Sequence, residues 1–227
     1  MHGSRRRSAR TTHEQACDAM LALLDARGIQ DRCVLAAMTV VRREPFIPGS
    51  EMEVGGLAPT PGNEHVNAYA DCAQSIGHGQ TISQPYVTAL MLQALQLQGN
   101  ERVLEIGTGS GYATAVLSQL ASHVYSMERD PALEVAVRAR LAALGYDGIH
   151  MVCRDGTFGW PEHAPYEAIM VTAGGPEIPP PLIDQLAVGG RLVMPVGTRE
   201  AQRLVLLIKT SEREHEVRDL GEVAFVP

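Results

Sequence analysis

From residue 101 onward, short apolar segments typical of β-strands alternate with longer segments typical of amphipathic helices. Parallel strands need such crossover helices between them, and the resulting sheet is covered on both faces. The last two strand-like runs are joined only by the short polar stretch SEREHE, so we expect them to pair antiparallel. The pattern therefore predicts an α/β protein with a doubly wound, mainly parallel sheet. We predict strands at 101–107, 123–129, 149–156, 166–174, 191–197, 203–210 and in a last run ending at 222–227, and helices at 111–121, 131–145 and 180–190.

The residues before this alternation have a different character. Apolar periodicity predicts helices at 11–27 and 31–41, and the stretch 43–71 is rich in Pro and Gly and is expected to form a long loop. A third helix is predicted at 85–98, with a proline in its first turn. The basic stretch 1–10 lacks a following apolar segment, so it is expected to be a disordered arm rather than a secretory signal.

Composition excludes several classes of function. The formal net charge of −7 disfavours a nucleic-acid-binding protein, because phosphate backbones require a basic face. No apolar run approaches the roughly 20 residues that span a bilayer, so no membrane segment is expected. The histidines lack metal-ligand spacing, and we predict no metal site. Scattered cysteines without a C-x-x-C pair are typical of reduced thiols in a cytoplasmic protein; they are Cys17, Cys33, Cys72 and Cys153.

A glycine-rich loop, LEIGTGSGY, follows the first predicted strand of the sheet and opens a helix. Gly107, Gly109 and Gly111 allow a tight turn and a close approach of the backbone to a ligand. Helix-starting N–H groups are then available to that ligand. Glu128 ends the next strand, where related sheets place a carboxylate that binds ribose hydroxyls. The order strand, loop, helix, strand and acid indicates a nucleoside site.

The loop does not match the dinucleotide fingerprint G-x-G-x-x-G, because its third glycine would fall at Tyr112. Acidic residues surround the loop instead of groups that suit a diphosphate. S-adenosylmethionine has no phosphate but carries an ammonium and a sulfonium, so Glu105 and Glu128 suit it better. Asp155 and Gly156, after the third strand, are expected to contact the adenine amino group rather than form only a turn.

Several segments resemble the protein-L-isoaspartate O-methyltransferase family, in the family's order, over about residues 40–227. The two most specific are GQTISQP and LEIGTGSGY. The resemblance implies a seven-stranded, Rossmann-like methyltransferase sheet with an N-terminal helical cap. It divides the chain into a cap and substrate-side loop, 1–84, and an S-adenosylmethionine-binding core, 85–227. The other matching segments are VRREPFIP, AYAD, VYSMERDPAL, RDGTFGWPEHAPYEAIMVTAG, IPPPLIDQLAVGGRLVMPVG and FVP.

The resemblance also implies roles for individual residues. Ser83 corresponds to the active-site serine, and Glu128 and Asp155 to the contacts with ribose and adenine. The loop between Phe46 and Tyr69 looks longer than the family norm, which could alter peptide access. The cofactor site is expected to include Ile82, Glu105, Gly107, Thr108, Gly109, Gly111, Glu128, Arg129, Asp155 and Gly156. The substrate site is expected to include Thr81, Ser83, Thr172, Ile178 and Pro179.

The family reaction moves a methyl group from S-adenosylmethionine to the free carboxylate of an L-isoaspartyl residue, with S-adenosylhomocysteine as the second product. The ester then collapses to a succinimide, which begins repair of the damaged protein. Isoaspartyl proteins and peptides are therefore the expected partners of a cytoplasmic monomer. Ser83 lies two residues before Pro85, so a helix-capping role is expected beside the catalytic one.

Two other functions stay open at this point. A related O-methyltransferase could act on an aspartate of one dedicated peptide, for which the long loop gives some support. A non-catalytic module could bind S-adenosylmethionine without transferring its methyl group, although intact Ser83, Glu128 and Asp155 argue against it.

Overall fold

The computed structural model describes residues 12–48 and 68–226. Residues 1–10, which were predicted to be disordered, lie outside the described residues. Most of the long loop between Phe46 and Tyr69 also lies outside them. Within the described part, no helix is long and apolar enough to cross a membrane.

Three helices form the N-terminal part, as the apolar periodicity predicts. They are α1 (Thr12–Ala26), α2 (Arg32–Val40) and α3 (Pro85–Leu95), and a single 3-10 turn covers Glu44–Phe46. The carboxylate of Asp31 begins α2 by accepting the backbone N–H groups of Cys33 and Val34. These helices share one hydrophobic cluster with the sheet, so the predicted boundary at residue 84 does not separate two cores and stays a prediction.

A seven-stranded sheet forms the rest of the molecule, and its strands are β3 (Arg102–Ile106), β4 (His123–Glu128), β5 (Ile149–Cys153), β6 (Tyr166–Val171), β7 (Leu186–Thr198), β8 (Ala201–Lys209) and β9 (His215–Val223). Their spatial order in the sheet is β5-β4-β3-β6-β7-β8-β9. The first five strands in this order are parallel, and β8 pairs antiparallel with β7. The last strand, β9, pairs antiparallel with β8, as predicted. The remaining helices are α4 (Tyr112–Leu117), α5 (Pro131–Ala143) and α6 (Pro180–Asp184).

Both faces of the sheet are covered at its central strands β3 and β6, which explains why these strands are mainly apolar, whereas most residues of the edge strand β9 are exposed. Val103 and Leu104 are neighbours in β3 and both are 0% exposed, yet they belong to different hydrophobic clusters. Val103 packs on the side of the N-terminal helices, and Leu104 packs on the side that includes Leu182 of α6.

The predicted secondary structure is wrong in several details. The helix predicted at 111–121 ends at Leu117, and the last strand ends at Val223 instead of continuing to the end of 222–227. The helix predicted at 180–190 ends at Asp184, and Leu186 already pairs with Tyr166 as the start of β7. The apolar residues at 180–190 do not distinguish a helix from the start of a strand, because Leu186 is buried in both cases. A small antiparallel hairpin, β1 (Gln74–Gly77) and β2 (Gln80–Ile82), was not predicted, and its second strand contains Thr81 and Ile82 of the TIS segment.

Candidate active site

A cavity of about 240 Å³ lies at the carboxyl ends of the parallel strands. It is located where the strand order reverses, between β3 and β6, which is the usual ligand position in such sheets. One wall is formed by the glycine loop and by the ends of β4 and β5. The opposite wall is formed by Thr81 and Ile82 of β2, by Ser83 directly after it and by the first turns of α3.

The glycine loop lies tightly against the end of β6. Gly107 has φ +92°, and a Cβ atom there would come within 2.5 Å of the Thr172 hydroxyl oxygen. That hydroxyl lies 2.5 Å from the carbonyl oxygen of Gly107 and so can donate to it. Gly111 has φ +86° and starts α4, and a Cβ atom there would meet Val137 of α5 at 2.5 Å. Gly111 therefore serves helix packing, and it is not part of the cavity lining.

Glu128 is only 6% exposed, and its carboxylate is already held by three backbone N–H groups. Oε2 accepts from Gly109 at 2.9 Å, and Oε1 accepts from Arg129 at 2.9 Å and from Asp130 at 3.1 Å. A carboxylate oxygen can accept about two hydrogen bonds, so the remaining capacity is mainly on Oε2. The carboxylate lines the cavity with its position fixed before any ligand arrives.

Asp155 and Gly156 form the edge of the same wall after β5. Asp155 Oδ1 accepts from the backbone N–H of Thr157 at 2.9 Å and from its hydroxyl at 2.8 Å. These bonds hold the pKa of Asp155 below its ordinary value. Gly156 lies so close to Ile106 that a Cβ atom would meet the Ile106 side chain at 2.3 Å. Only glycine allows this backbone to lie against the end of β3.

Glu105 lies beneath the glycine loop and not in the cavity lining, although it was predicted to bind the cofactor. It is 0% exposed, and its Oε2 accepts from the hydroxyls of Thr114 at 2.5 Å and Ser126 at 2.6 Å. The Ser126 hydroxyl in turn lies 2.7 Å from the hydroxyl of Thr108, which lines the cavity. Burial raises the pKa of Glu105 to about 7, with Glu128 adding a smaller repulsion. Glu105 is thus linked to the cavity only through Ser126 and Thr108.

Ser83 lines the cavity and is partly buried, and its hydroxyl makes no hydrogen bond within the described residues. The expectation that Ser83 also caps α3 is wrong. The N-cap residue is Gln84, without a side-chain bond, and the carboxylate of Asp71 accepts the N–H of Tyr86 at 3.0 Å instead. Asp71 also accepts from the Gln84 amide, so the start of α3 is held from outside the segment. The Ser83 hydroxyl is therefore available to a ligand.

The model of the protein-L-isoaspartate(D-aspartate) O-methyltransferase family, PCMT, matches residues 15–227. The chain belongs to this family. A protein-L-isoaspartate O-methyltransferase 1 of Rhodopseudomonas palustris is 51% identical over 205 residues, which cover 90% of this chain and 78% of the relative. A protein-L-isoaspartate O-methyltransferase of Protochlamydia amoebophila is 49% identical and is covered over 90% of its length.

Two solved structures support the PCMT assignment. One, a protein-L-isoaspartate O-methyltransferase, superimposes with a TM-score of 0.77 at 27% identity, over 92% of this chain and 65% of that one. The other is a putative PCMT from Plasmodium falciparum in complex with S-adenosyl-L-homocysteine. It has a TM-score of 0.76 at 26% identity and covers 96% of this chain and 98% of its own.

The residues of this PCMT site fit S-adenosylmethionine. Glu128 keeps an acceptor position for a ribose hydroxyl, and Asp155 offers an acceptor for an amino group. At Gly107 and Gly156 a side chain would collide with Thr172 and Ile106, so glycine lets the backbone of this wall pack against the ends of β6 and β3. A phosphate-free cofactor with two cationic groups suits a wall that includes these carboxylates.

Most of the predicted site residues lie together, and three do not. Glu105 and Gly111 lie behind the cavity wall, and Ile178 packs against the second hydrophobic cluster. Those that line the cavity are Thr81, Ile82, Ser83, Gly107, Thr108, Gly109, Glu128, Arg129, Asp155, Gly156, Thr172 and Pro179. Their roles toward cofactor and substrate stay predictions.

Sequence analysis missed part of the lining. Phe225 and Val226 close one side of the cavity, because Gln202 bonds both backbone groups of Phe225 and Gly174 donates to the Val226 carbonyl at 3.0 Å. The FVP match was a signal for this tail. Methionines 91, 127, 170 and 194 come from four different elements, and no local pattern could have grouped them.

Proposed function

We propose that this chain transfers a methyl group from S-adenosylmethionine to the free carboxylate of L-isoaspartyl residues in damaged proteins and peptides. The methyl ester then forms a succinimide without the enzyme, and hydrolysis of the succinimide returns some normal aspartate. Support comes from membership of the PCMT family over residues 15–227 and from relatives of about half identical sequence that carry this name.

The observation that carries the proposal is the uncommitted hydroxyl of Ser83 in the cavity wall opposite the glycine loop. Asp71 takes over the capping of α3, so the hydroxyl has no structural task among the described residues. A hydroxyl can donate one hydrogen bond to a carboxylate oxygen. We infer that Ser83 holds one substrate oxygen so that the other oxygen points at the methyl group.

The chemistry asks mainly for alignment. A carboxylate has an unperturbed pKa near ~4 and is already ionised at neutral pH, so the reaction needs no general base. S-adenosylmethionine supplies, when bound, both the methyl group and a cationic centre that becomes neutral as the methyl leaves. Because opposite charges meet and cancel, a site that excludes water and fixes both reactants favours the reaction. Thr172, which ties the glycine loop to β6, helps to fix this geometry.

The finer roles follow from the same arrangement. We infer that Gly107, Thr108 and Gly109 hold the methionine part of the cofactor, that Glu128 holds the ribose and that Asp155 holds the adenine amino group. The acidic net charge of −7 favours peptide over nucleic-acid substrates. We expect the protein to be a cytoplasmic monomer, and analytical ultracentrifugation measures its oligomeric state.

A methyl-transfer assay with an isoaspartyl peptide and its aspartyl twin tests the proposal. We expect the isoaspartyl peptide to be methylated and the twin to stay unmodified. Equal rates on both peptides would contradict isoaspartyl selectivity. Transfer only to an aspartate of one particular peptide would favour the dedicated-substrate alternative, and cofactor binding without any transfer would favour the binding module.

A further inference from the structure

Arg43 is a buried cation that the proposed reaction does not yet use. The residue follows α2 and is 0% exposed. Its Nε donates to the carbonyl of Ala68 at 2.9 Å, and its Nη2 donates to the carbonyl of Ser83 at 2.6 Å. Nη1 is buried without a hydrogen bond in the part of the chain that the structure describes.

The positive charge of Arg43 has no carboxylate partner within salt-bridge distance among residues 12–48 and 68–226. The neighbouring Arg42 pairs with Glu44, and Asp71 pairs with Arg27 and acts on Arg43 only at longer range. Burial lowers the pKa of Arg43, but a guanidinium starts so high that it stays protonated in a protein. An uncompensated buried charge is costly, and proteins rarely keep one without a use.

The guanidinium lies directly behind the wall that contains Ser83. Its central carbon is 4.7 Å from the centroid of the Tyr112 ring, and Tyr112 and Ser83 both line the cavity. The Tyr112 hydroxyl is itself buried without a hydrogen bond within the described residues. The charge is therefore separated from the cavity by one layer of atoms, with little water to screen it.

We propose that Arg43 makes the substrate side of the cavity selective for a carboxylate, by its charge behind Ser83 and Tyr112 and by its hydrogen bond to the Ser83 carbonyl. Arg43 is a positioning and specificity residue and does not touch the substrate. The inference rests on the proposed function, because it takes the carboxylate that meets Ser83 to be that of the isoaspartyl residue. A neutral group at the same position would gain nothing from the charge.

The two parts of this role have different kinetic signatures. The negative charge of the carboxylate is consumed as the methyl group transfers, so attraction by Arg43 favours bound substrate and acts mainly on KM. The bond to the Ser83 carbonyl fixes the serine and acts mainly on kcat. Arg43→Lys keeps the positive charge and loses the planar guanidinium with its fixed N–H directions, whereas Arg43→Gln loses the charge and keeps hydrogen-bond donors.

The test has two measurements. The first compares the binding of two peptide inhibitors under conditions without methyl transfer, and the second compares the steady-state kinetics of the variants. The inhibitors are an isoaspartyl peptide in the presence of S-adenosylhomocysteine and the same peptide with a carboxamide in place of the free carboxylate. We expect the wild type to bind the carboxylate peptide at least about tenfold more tightly than the carboxamide peptide. Arg43→Gln should reduce this preference to within about twofold, and Arg43→Lys should keep most of it while lowering kcat.

Arg27→Met is the matched control, since Arg27 also lies over a tyrosine ring, that of Tyr86, but is partly exposed and paired with Asp71. It should leave the carboxylate preference unchanged. Calorimetry with S-adenosylhomocysteine shows whether each variant is folded, and Arg43→Met provides a second neutral variant. A wild type without carboxylate preference, or a folded neutral variant that keeps it, would overturn the proposal. Absence of methyl transfer by the wild type would instead count against the proposed function, while the inhibitor preference could still be measured.

Discussion

Behind the two walls of the cavity lie buried ionisable groups whose charged forms have opposite signs. Glu105 lies beneath the glycine loop on the proposed cofactor side, and Arg43 lies behind Ser83 on the proposed substrate side. Both residues are 0% exposed, and neither lines the cavity. The proposed reactants have the complementary signs, because the methyl donor is a cation and the acceptor an anion. In its ionised form, each of the two groups has the charge that favours the reactant on its own side of the cavity.

The walls differ in how far their polar groups are already engaged. On the cofactor side, Glu128 accepts three backbone N–H groups, and Asp155 accepts two bonds from Thr157. On the substrate side, the hydroxyl of Ser83 makes no hydrogen bond among the described residues. A preorganised wall suits tight cofactor binding, whereas an unengaged hydroxyl suits a ligand that must react and leave.

Replacing Ser83 by Ala should have the largest effect on catalysis. If the hydroxyl positions the carboxylate, turnover should fall roughly ten- to a thousandfold, by analogy with removal of one oxyanion donor. Affinity for S-adenosylhomocysteine should stay near the wild-type value, because the cofactor wall is unchanged. Steady-state kinetics and calorimetry measure the two quantities.

The same variant separates catalysis from stability. Asp71 rather than Ser83 caps α3, so Ser83→Ala should change the free energy of unfolding by no more than about 0.5 kcal/mol. Asp71→Ala is the control and should cost about 1 kcal/mol as a lost cap. Normal turnover in Ser83→Ala would refute the proposed role, and a large loss of stability would show that the hydroxyl has a structural partner after all.

Glu105→Gln should alter the pH dependence of stability on the cofactor side. The folded-state pKa of about 7 lies above the ordinary 4.5, so the unfolded chain ionises first as the pH rises. The contribution of protonated Glu105 to the free energy of unfolding is complete below pH 4.5 and is lost progressively up to about pH 7. As the pH rises between these limits, the free energy of unfolding of Glu105→Gln should increase by roughly 3 kcal/mol relative to that of the wild type. Chemical denaturation at several pH values measures this difference.

Cofactor binding gives the functional counterpart of this experiment. The ionised form of Glu105 favours a nearby cation, while Ser126, Thr114 and Glu128 are the polar and charged groups around it. Wild-type affinity for S-adenosylmethionine should rise a few-fold between pH 6 and 8 relative to that for the neutral thioether S-adenosylhomocysteine. A ratio of affinities that does not change with pH would show that the buried carboxylate does not act on the sulfonium.

Glu128→Ala should weaken S-adenosylmethionine binding by at least about tenfold, since charge-assisted hydrogen bonds to ribose are worth roughly 1.5–3 kcal/mol. The variant also releases the N–H of Gly109, so a matched ligand is needed. A 2′-deoxy or 3′-deoxy analogue of S-adenosylhomocysteine should bind wild type more weakly and lose less affinity than the parent in Glu128→Ala. Unchanged calorimetric affinity for S-adenosylmethionine would sink the assignment.

Predictability from sequence differs between the two walls for a physical reason. Loop glycines, a strand-end acid and the Asp-Gly turn are local patterns, so residues such as Gly107, Glu128 and Asp155 could be found without a structure. Glu105 was given the wrong position, because the alternation along β3 cannot show whether a side chain points into a cavity or beneath a loop. The substrate wall depends on contacts between distant segments, and Arg43 reaches Ser83 across 40 positions of sequence.

The smallest effect is expected at the edge of the cofactor wall, where Asp155 is exposed and water competes with any ligand contact. Asp155→Ala should reduce affinity for S-adenosylhomocysteine by roughly three- to tenfold, about the net value of one hydrogen bond. Asp155→Asn keeps an acceptor oxygen for the adenine amino group and should stay closer to wild type. A cofactor analogue with hypoxanthine in place of adenine lacks that amino group, so it should bind wild type and Asp155→Ala with similar affinity. If Asp155→Ala weakens both ligands equally, the side chain acts by shaping the turn at Thr157, and the adenine contact must be assigned to another residue of this wall.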